Sequence, residues 1–260
     1  MSGSLSDPCP PCLTVGSVEV PYLTREQALY RIRRAFDGDK PVRVAFCNAN
    51  MMLRALTKPD YARTLKSFLL LNDGVGLNLC SRLFTGRPFP DNLNGTDFVP
   101  EILHRSRDSL AIFLLGGSPG TAEAAARRLA VTYPRHRVVG TQHGFFSDDD
   151  TDAVLADIGR SAPDLLLVGM GNPRQEDFIA AVAERLTVPV VMAVGALLDF
   201  TAGNVLRAPK PIRALRAEWL FRLAQEPRRL GRRYTVELAL FLFMIMRLRL
   251  RARRSALPQG

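Results

Sequence analysis

The sequence predicts an α/β fold, in which helices cover both faces of a mostly parallel β-sheet. Short apolar runs alternate with segments of helical periodicity along most of the chain, as they do where each strand is followed by a crossover helix. The apolar runs are uninterrupted, as in residues 165–168, which indicates strands that are buried on both faces. Most runs also lead into glycine or asparagine, which is typical of the turn between a strand and a helix.

The predicted elements follow in order from the amino terminus. Residues 15–23 form a strand or a hairpin, and Thr24 with Gln27 makes a capping box that begins a helix ending near Phe36. The remaining predicted strands cover residues 41–49, 68–71, 110–115, 137–140, 165–168 and 188–194. The remaining predicted helices cover about residues 51–68 with a break at 58–59, 77–84, 96–107 with Thr96 as cap, 121–133, 149–158 and 174–186.

The turns that follow the strands are expected to form one site. Carboxyl ends of parallel strands meet at one edge of a sheet, and ligands of Rossmann-like domains bind outside that edge. The turns concerned are residues 48–50, 72–76, 116–120, 144, 169–175 and 195–203. The sequence therefore predicts a Rossmann-like catalytic domain over residues 15–206, with its site at this edge.

Charge divides the chain into unequal parts. The formal net charge is +10, but residues 207–254 alone hold 13 Arg and one Lys against three Glu, a net charge of +11. We therefore predict a disordered leader (1–14), the α/β domain (15–206), and a basic, partly apolar, helical appendage (207–260). A segment of this charge indicates an anionic partner such as a phospholipid surface, a nucleic acid or a pyrophosphate.

The appendage contains a short apolar segment, residues 238–246, which a cluster of arginines follows. Crossing a bilayer takes about 20 residues, so this segment is too short to span it. We expect an interfacial helix that lies on anionic lipid, although a helix packed on the body or on another subunit fits the same pattern. The amino terminus has no basic start and no apolar core segment, which predicts a cytoplasmic protein attached peripherally to the inner face of the membrane.

No group of residues has the sequence spacing of a metal site. The histidines are scattered, and the aspartates at 148–150 suit a solvated helix start. Cys9 and Cys12 lie in a proline-rich segment with no strand before it, which favours a flexible leader over a redox site. Cys47 and Cys80 have apolar neighbours and are expected to be reduced core residues. We therefore predict chemistry that needs no metal ion.

Asp73 is the strongest catalytic candidate in the predicted turns. It is a single carboxylate directly after an apolar strand, and the glycines that follow, Gly74 and Gly76, leave space for a ligand. A partly buried carboxylate in such a position is suited to act as a general base. The alternative from the same residues is a helix N-cap, which aspartate commonly forms.

Two glycine-rich turns are candidates for binding an anion. In the first, an apolar strand leads through Gly171 and Asn172 to Pro173, which suits the first position of a helix. Such a turn would direct backbone N–H groups at a phosphate, and an ordinary strand-to-helix turn is the alternative. The second, residues 114–123, is similar to a dinucleotide fingerprint but lacks its spacing. No acidic residue ends the next strand to bind a ribose, which weakens the hypothesis of a nucleotide-dependent oxidoreductase.

Nine short motifs occur together in one order. They are NAN (48–50), NDGVG (72–76), NLNGTDF (92–98), LLGGSPGTAE (114–123), GFF (144–146), PDLLLVGMGNPRQE (163–176), VGALLDFTAG (194–203), RAPK (207–210) and EWLFRLAQEPRRLGRRY (218–234). Over about residues 15–235 the chain thereby resembles the WecG/TagA/CpsF family of bacterial glycosyltransferases, glycosyltransferase family 26. The resemblance implies a metal-independent, inverting transfer of a sugar from a UDP-sugar to a polyprenyl-diphosphate-linked acceptor at the inner membrane face, in exopolysaccharide or related envelope-glycan assembly.

The resemblance also implies roles for particular residues. Asp73 matches the proposed general base of the family, and Asn50 matches an active-site asparagine. Asn48 stands where the family usually has threonine, and Gln175 matches a glutamine at the strand-end helix, so these four are expected to act in catalysis. The residues expected to bind substrate are Asn92, Asp97, Gly117, Gly171, Asn172, Arg222, Arg229 and Arg232, and the three arginines match those thought to engage the diphosphates.

Two departures from the family pattern bear on the sugar. Relatives that transfer N-acetylmannosamine typically carry an arginine where this chain has Asn92, and Asn48 replaces threonine in the same pocket. Both favour a plain hexose such as glucose, with N-acetylmannosamine or its uronic acid as the alternative. A non-catalytic nucleotide-sugar-binding membrane protein is the remaining hypothesis. The expected partners are a UDP-sugar, a polyprenyl-diphosphate-linked saccharide and an anionic inner-membrane surface rather than nucleic acid, and self-association into a homo-oligomer is left open.

Overall fold

The protein is built around a six-stranded sheet in which all neighbouring strands are parallel. The structure, a computed structural model, describes residues 10–209, 212, 218–225, 227, 231 and 233–255. Its strands are β1 Cys12–Val15, β2 Val18–Pro21, β3 Val42–Cys47, β4 Leu69–Asn72, β5 Ala111–Gly116, β6 Arg137–Gln142, β7 Leu165–Gly169 and β8 Val190–Ala193. The first two form a separate antiparallel hairpin, and the other six lie in the order β4-β3-β8-β7-β5-β6.

Helices connect the strands of the sheet. They are α1 Arg25–Phe36, α2 Ala49–Thr57, α3 Pro59–Leu65, α4 Val75–Thr85, α5 Gly95–Arg105, α6 Thr121–Thr132, α7 Thr151–Ser161, α8 Arg174–Ala181 and α9 Leu197–Ala202, with 3₁₀ turns at Asp148–Asp150 and Ala183–Arg185. The described chain then contains a helix at Glu218–Gln225, a π-helical turn at Arg233–Glu237 and the C-terminal helix, Leu238–Ser255. The predicted α/β fold with a helical C-terminal segment is confirmed.

Both faces of the sheet are buried, because alternate residues of a strand point to opposite sides. In β7, Leu166 and Val168 pack in one core with the hairpin and helices α2, α3, α4, α7 and α8. Leu165 and Leu167 of the same strand pack in a second core with α1, α5, α6 and α9. The uninterrupted apolar runs of the sequence therefore correspond to strands with two buried faces.

The caps of two helices show where local sequence signals succeed and fail. Helix α1 begins with the predicted capping box, in which Thr24 and Gln27 exchange two hydrogen bonds of 2.9 and 3.3 Å. The predicted cap of α5 is wrong, because Asn94 caps this helix by accepting the N–H of Asp97 at 3.0 Å. The extended backbone that a cap needs occurs at Asn94, and the Thr96 hydroxyl donates to the Asn94 side chain instead.

Regular structure begins within the segment that the sequence assigns to a leader. Strand β1 covers Cys12–Val15 and pairs with β2, so a disordered leader that extends to residue 14 is too long. Cys9 lies outside the described residues. Cys47 and Cys80 are buried free thiols, as predicted for core cysteines.

The C-terminal helix packs on the α/β domain. Phe241 and Ile245 are both 0% exposed and belong to the core that also contains residues of α2 and α4. The ring of Phe241 lies near Gly76 of α4, where an added Cβ would be in ordinary van der Waals contact with it at 3.9 Å. A helix packed on the body, the alternative that the sequence left open, is therefore present.

Large apolar side chains also remain exposed on this helix and on the turn before it. They are Val236, Leu240, Leu242, Phe243, Met246 and Leu250. In the described part of the chain, no helix combines the length and the apolar character that crossing a membrane requires. The predicted contact of this segment with a lipid surface stays a prediction.

Candidate active site

The parallel strands bring the predicted turns to one edge of the sheet. The residues that directly follow the six strands are Asn48, Asp73, Gly117, His143, Met170 and Val194. All six are described, and Asp73 is the only carboxylate among them. It follows β4, an edge strand, and lies beside Asn48 at the end of β3. The predicted convergence of the strand ends is confirmed.

Asp73 is held in place through its backbone. Its N–H donates to the carbonyl oxygen of Cys47 at 2.8 Å, which extends the pairing of β3 with β4. Gly74, with φ +88°, is the N-cap of α4, so Asp73 does not take the alternative role of helix cap. Burial raises the pKa of the Cys47 thiol, and the charge of Asp73 raises it further. The Cys47 thiol therefore stays protonated at neutral pH and is not a candidate base.

Asn92 supports the turn that follows β4. Its Oδ1 accepts the N–H of Gly74 at 2.9 Å. The chain around it is fixed to the end of β4, because the N–H of Leu93 donates to the Asn72 carbonyl at 3.0 Å and the Asn72 side chain donates to the Asp91 carbonyl at 2.7 Å. Asn92 thus lies at the edge where the sequence places it, with its side-chain oxygen bonded to backbone.

Asn48 and Asn50 both lie at the start of α2. Asn48 caps this helix by accepting the N–H groups of Asn50 and Met51, each at 3.1 Å. The side-chain amide of Asn50 donates to the carboxylate of Glu237, 187 residues further along the chain. Sequence reasoning missed Glu237, and the one signal for it is that residues 227–255 contain no other acidic residue.

Gln175 joins the turns that follow β7 and β8. Its Oε1 accepts the N–H of Gly171 at 3.1 Å and the N–H of Gly195 at 3.0 Å. The residue is 2% exposed, so its amide contacts the protein. This geometry favours a positioning role for Gln175 over contact with reacting atoms.

Pro173 is the N-cap of α8, one position before the first helical residue, and its peptide bond to Asn172 is cis.

Glu176 is a buried carboxylate behind the same turn. It is 0% exposed and accepts hydrogen bonds from Asn172 Nδ2 and Gln175 Nε2, both at 2.6 Å, and from the Tyr61 hydroxyl at 3.0 Å. Burial raises the pKa of this carboxyl, and the three hydrogen bonds act against that rise. An ionised carboxylate suits three donors, because it only accepts hydrogen bonds. Glu176 therefore orients Gln175 and Asn172.

The glycines at the strand ends use their backbone N–H groups within the fold. Those of Gly171 and Gly195 donate to Gln175, that of Gly74 to Asn92, that of Gly117 to the Gly169 carbonyl and that of Gly144 to the Gly117 carbonyl. The N–H groups of Gly117 and Gly171 therefore already have acceptors within the protein, and binding of a substrate phosphate at these two turns stays a prediction.

The structure describes the side chains of only some of the remaining predicted site residues. Asp97, in the first turn of α5, forms an ion pair with Arg207 from the chain after α9. Arg222 lies within a described helix, but its side chain lies outside the described part of the structure. Arg229 and Arg232 lie outside the described residues. Substrate binding by these residues stays a prediction.

The residues that the structure describes include no group of three or more His, Cys, Asp or Glu side chains arranged to hold a metal ion. The aspartates at Asp148–Asp150 form an exposed 3₁₀ turn that precedes α7, as expected of a solvated helix start. Metal-independent chemistry remains a prediction.

Known proteins match most of the chain. Residues 13–255 match the model of the glycosyl transferase WecG/TagA/CpsF family. An N-acetylglucosaminyldiphosphoundecaprenol N-acetyl-beta-D-mannosaminyltransferase of Bacillus subtilis (strain 168) is 29% identical over 195 residues, which cover 74% of this chain and 75% of that protein. The protein of the same name from Bacillus spizizenii is 27% identical over 202 residues, 77% of each chain.

Proposed function

The chain belongs to the WecG/TagA/CpsF family of glycosyl transferases, and from this premise we propose that it transfers a sugar from a UDP-sugar to a polyprenyl-diphosphate-linked saccharide. The two Bacillus relatives support this acceptor class, because their names specify N-acetylglucosaminyldiphosphoundecaprenol. The UDP-sugar donor follows from the family resemblance. Such a reaction would serve the assembly of an exopolysaccharide or another envelope glycan.

The position of Asp73 is the observation that carries this proposal. It is the one carboxylate among the residues that directly follow the six strands of the parallel sheet, all of which are described. Its backbone is fixed by Cys47 on one side, and Asn92 holds Gly74 on the other. A base for a substrate hydroxyl needs such a fixed position, because proton transfer requires hydrogen-bond reach of the hydroxyl.

In the proposed mechanism, Asp73 accepts the proton of the acceptor hydroxyl while the hydroxyl oxygen bonds to the anomeric carbon. The bond from that carbon to UDP breaks, and its electron pair leaves with the diphosphate. A single displacement of this kind inverts the anomeric configuration. Since the N–H groups of the strand-end glycines are occupied, we assign the charge of the departing diphosphate to Arg222, Arg229 and Arg232, whose guanidinium groups can pair bidentately with phosphate oxygens.

Two observations bear on the donor sugar and favour different answers. Asn92 and Asn48 replace residues typical of relatives that transfer N-acetylmannosamine, which favours a plain hexose such as glucose. The names of both Bacillus relatives specify N-acetylmannosamine. In this chain the side-chain oxygens of both asparagines bond to backbone N–H groups. We propose a hexose donor, with N-acetylmannosamine as the second candidate.

A panel of radiolabelled UDP-sugars tests the proposed function. The purified chain is incubated with each donor, with and without a polyprenyl-diphosphate-linked saccharide, and label in the lipid fraction is measured. Transfer that requires the lipid acceptor supports the proposal, and the donor that gives it identifies the sugar. Binding of UDP without transfer from any donor would favour a non-catalytic nucleotide-sugar-binding protein.

Transfer is expected to survive EDTA. The proposed mechanism assigns the charge of the leaving diphosphate to arginine side chains, so no step needs a divalent cation. The rate of transfer is measured before and after dialysis against EDTA and again after addition of Mg²⁺ or Mn²⁺. A strict requirement for either cation would contradict the mechanism.

We also propose that the chain works at the inner face of the cell membrane, where a lipid-linked acceptor is available. The exposed side chains of Phe243 and Leu250, with the exposed arginines Arg247 and Arg251, support this proposal. Apolar side chains beside cations suit the interface of an anionic bilayer. Removing the whole helix would be a poor test, because Phe241 belongs to the core.

The double variant Phe243→Asp with Leu250→Asp is expected to bind anionic vesicles at least about tenfold more weakly. Burial of each apolar side chain contributes about 1.5–3 kcal/mol, and about 1.4 kcal/mol corresponds to a factor of ten. Val131→Asp is the control, since Val131 is 83% exposed on α6. Sedimentation with vesicles at low and high salt provides the measurement, and equal sedimentation of all three chains would rule out this surface.

A further inference from the structure

Glu237 brings a negative charge from the C-terminal segment to the candidate active site. Its carboxylate accepts a hydrogen bond from the side-chain amide of Asn50, a residue expected to act in catalysis. Glu237 is the last residue of the π-helical turn Arg233–Glu237, and the C-terminal helix begins at the next residue. The position of this junction is set by packing, because Phe241 follows one helical turn later and is fully buried.

The contact lies beside the proposed base. Asn50 is the second residue of α2, and Asn48 caps that helix directly after β3. Asp73 follows the neighbouring strand β4, and its N–H bonds to Cys47, the last residue of β3. Two carboxylates, those of Asp73 and Glu237, therefore border the same part of the sheet edge.

The carboxylate of Glu237, bonded to the Asn50 amide, opposes binding of the proposed substrates. The donor and the acceptor both carry a diphosphate, and like charges repel more strongly where they are partly removed from water. Carboxylate and phosphate oxygens are also both acceptors, so they compete for the same amide donor. The hydrogen bond between Asn50 and Glu237 is therefore expected to break when a diphosphate binds at this position.

On the basis of the proposed function, we propose that Glu237 is an autoinhibitory residue, which occupies the Asn50 amide until the diphosphate of the nucleotide sugar displaces it. Phe241 and Ile245 keep the C-terminal helix seated, while the turn that ends in Glu237 moves. A ligand that must displace a competing group binds more weakly than its contacts alone would allow. Glu237 thus sets the affinity for the donor.

The test is the affinity of the full chain for UDP after the substitution Glu237→Gln, measured by isothermal titration calorimetry. Glutamine keeps the length and an acceptor oxygen for Asn50 but removes the charge. We expect UDP to bind about tenfold more tightly, within the range of about 5–150-fold that is typical of coupled equilibria. Glu19→Gln, at an exposed position of β2, removes the same charge elsewhere and is expected to leave the affinity unchanged.

Uridine has no phosphate and is expected to bind the original chain and both variants equally. If Glu237→Gln binds UDP with equal or lower affinity than the original chain, Glu237 instead holds Asn50 in place for the substrate, and the proposal is overturned while the proposed function stands. If no chain binds UDP, the proposed function fails and this proposal fails with it. Glu237 is only half-buried, so the variant is expected to fold, and its thermal unfolding is recorded to confirm this.

Discussion

Replacing Asp73 with asparagine is expected to slow sugar transfer by about 10²–10⁴-fold, the range that a general base contributes. Asparagine has nearly the same shape, so the hydrogen bond from the backbone of residue 73 to Cys47 and the turn at Gly74 stay in place. The amide cannot accept the proton of the acceptor hydroxyl. We therefore expect the rate of transfer to fall while the affinity for UDP stays close to that of the original chain.

Single-turnover transfer and UDP titration on the same preparations separate these two effects. Asp149→Asn is the matched control, because Asp149 is an exposed carboxylate in the 3₁₀ turn before α7. This variant is expected to transfer sugar at the original rate. Near-normal turnover by Asp73→Asn would remove Asp73 from the role of base.

Replacing Phe241 with alanine is expected to lower the free energy of unfolding by about 3–5 kcal/mol. Phe241 is 0% exposed and packs in the core that contains residues of α2 and α4. Truncation to alanine removes most of the ring's contacts and leaves a cavity that the neighbouring helices cannot fully close. The loss should appear in denaturant unfolding as a lower midpoint.

Phe243 provides a matched control on the same helix. It is 63% exposed, so Phe243→Ala changes the same residue type two positions away without opening a cavity. Surface substitutions usually change stability by less than about 0.5 kcal/mol. Equal losses for the two variants, or no loss for Phe241→Ala, would show that the C-terminal helix does not pack on the domain through this face.

Much of the fold can be predicted from the sequence because its signals are local. The uninterrupted apolar run at residues 165–168 indicates a strand with two buried faces, and both faces of β7 are buried. The capping box at Thr24 involves residues three positions apart. The carboxylate of Asp73 stands out for a similar reason, since it directly follows an apolar strand and a parallel sheet places such residues at one edge.

The remaining features depend on contacts between distant parts of the chain. Whether a glycine N–H is available to an anion depends on its acceptor, and Gln175 reaches both Gly171 and Gly195, twenty residues further on. The contact between Asn50 and Glu237 joins residues 187 positions apart, and no periodic pattern predicts it. The apolar segment at 238–246 suits lipid and protein equally well, because both are apolar surroundings. Only tertiary packing determines which side chains of this helix are buried in the protein.

The proposed direct displacement of UDP by the acceptor hydroxyl is tested most directly by the anomeric configuration of the product. The purified chain is incubated with an α-linked UDP-sugar and a polyprenyl-diphosphate-linked saccharide, and the lipid-linked product is examined by proton NMR. A single displacement assisted by one carboxylate base predicts a β-linked sugar, with one UDP released for each sugar transferred. An α-linked product, or no lipid-linked product with any UDP-sugar, would contradict the proposed reaction.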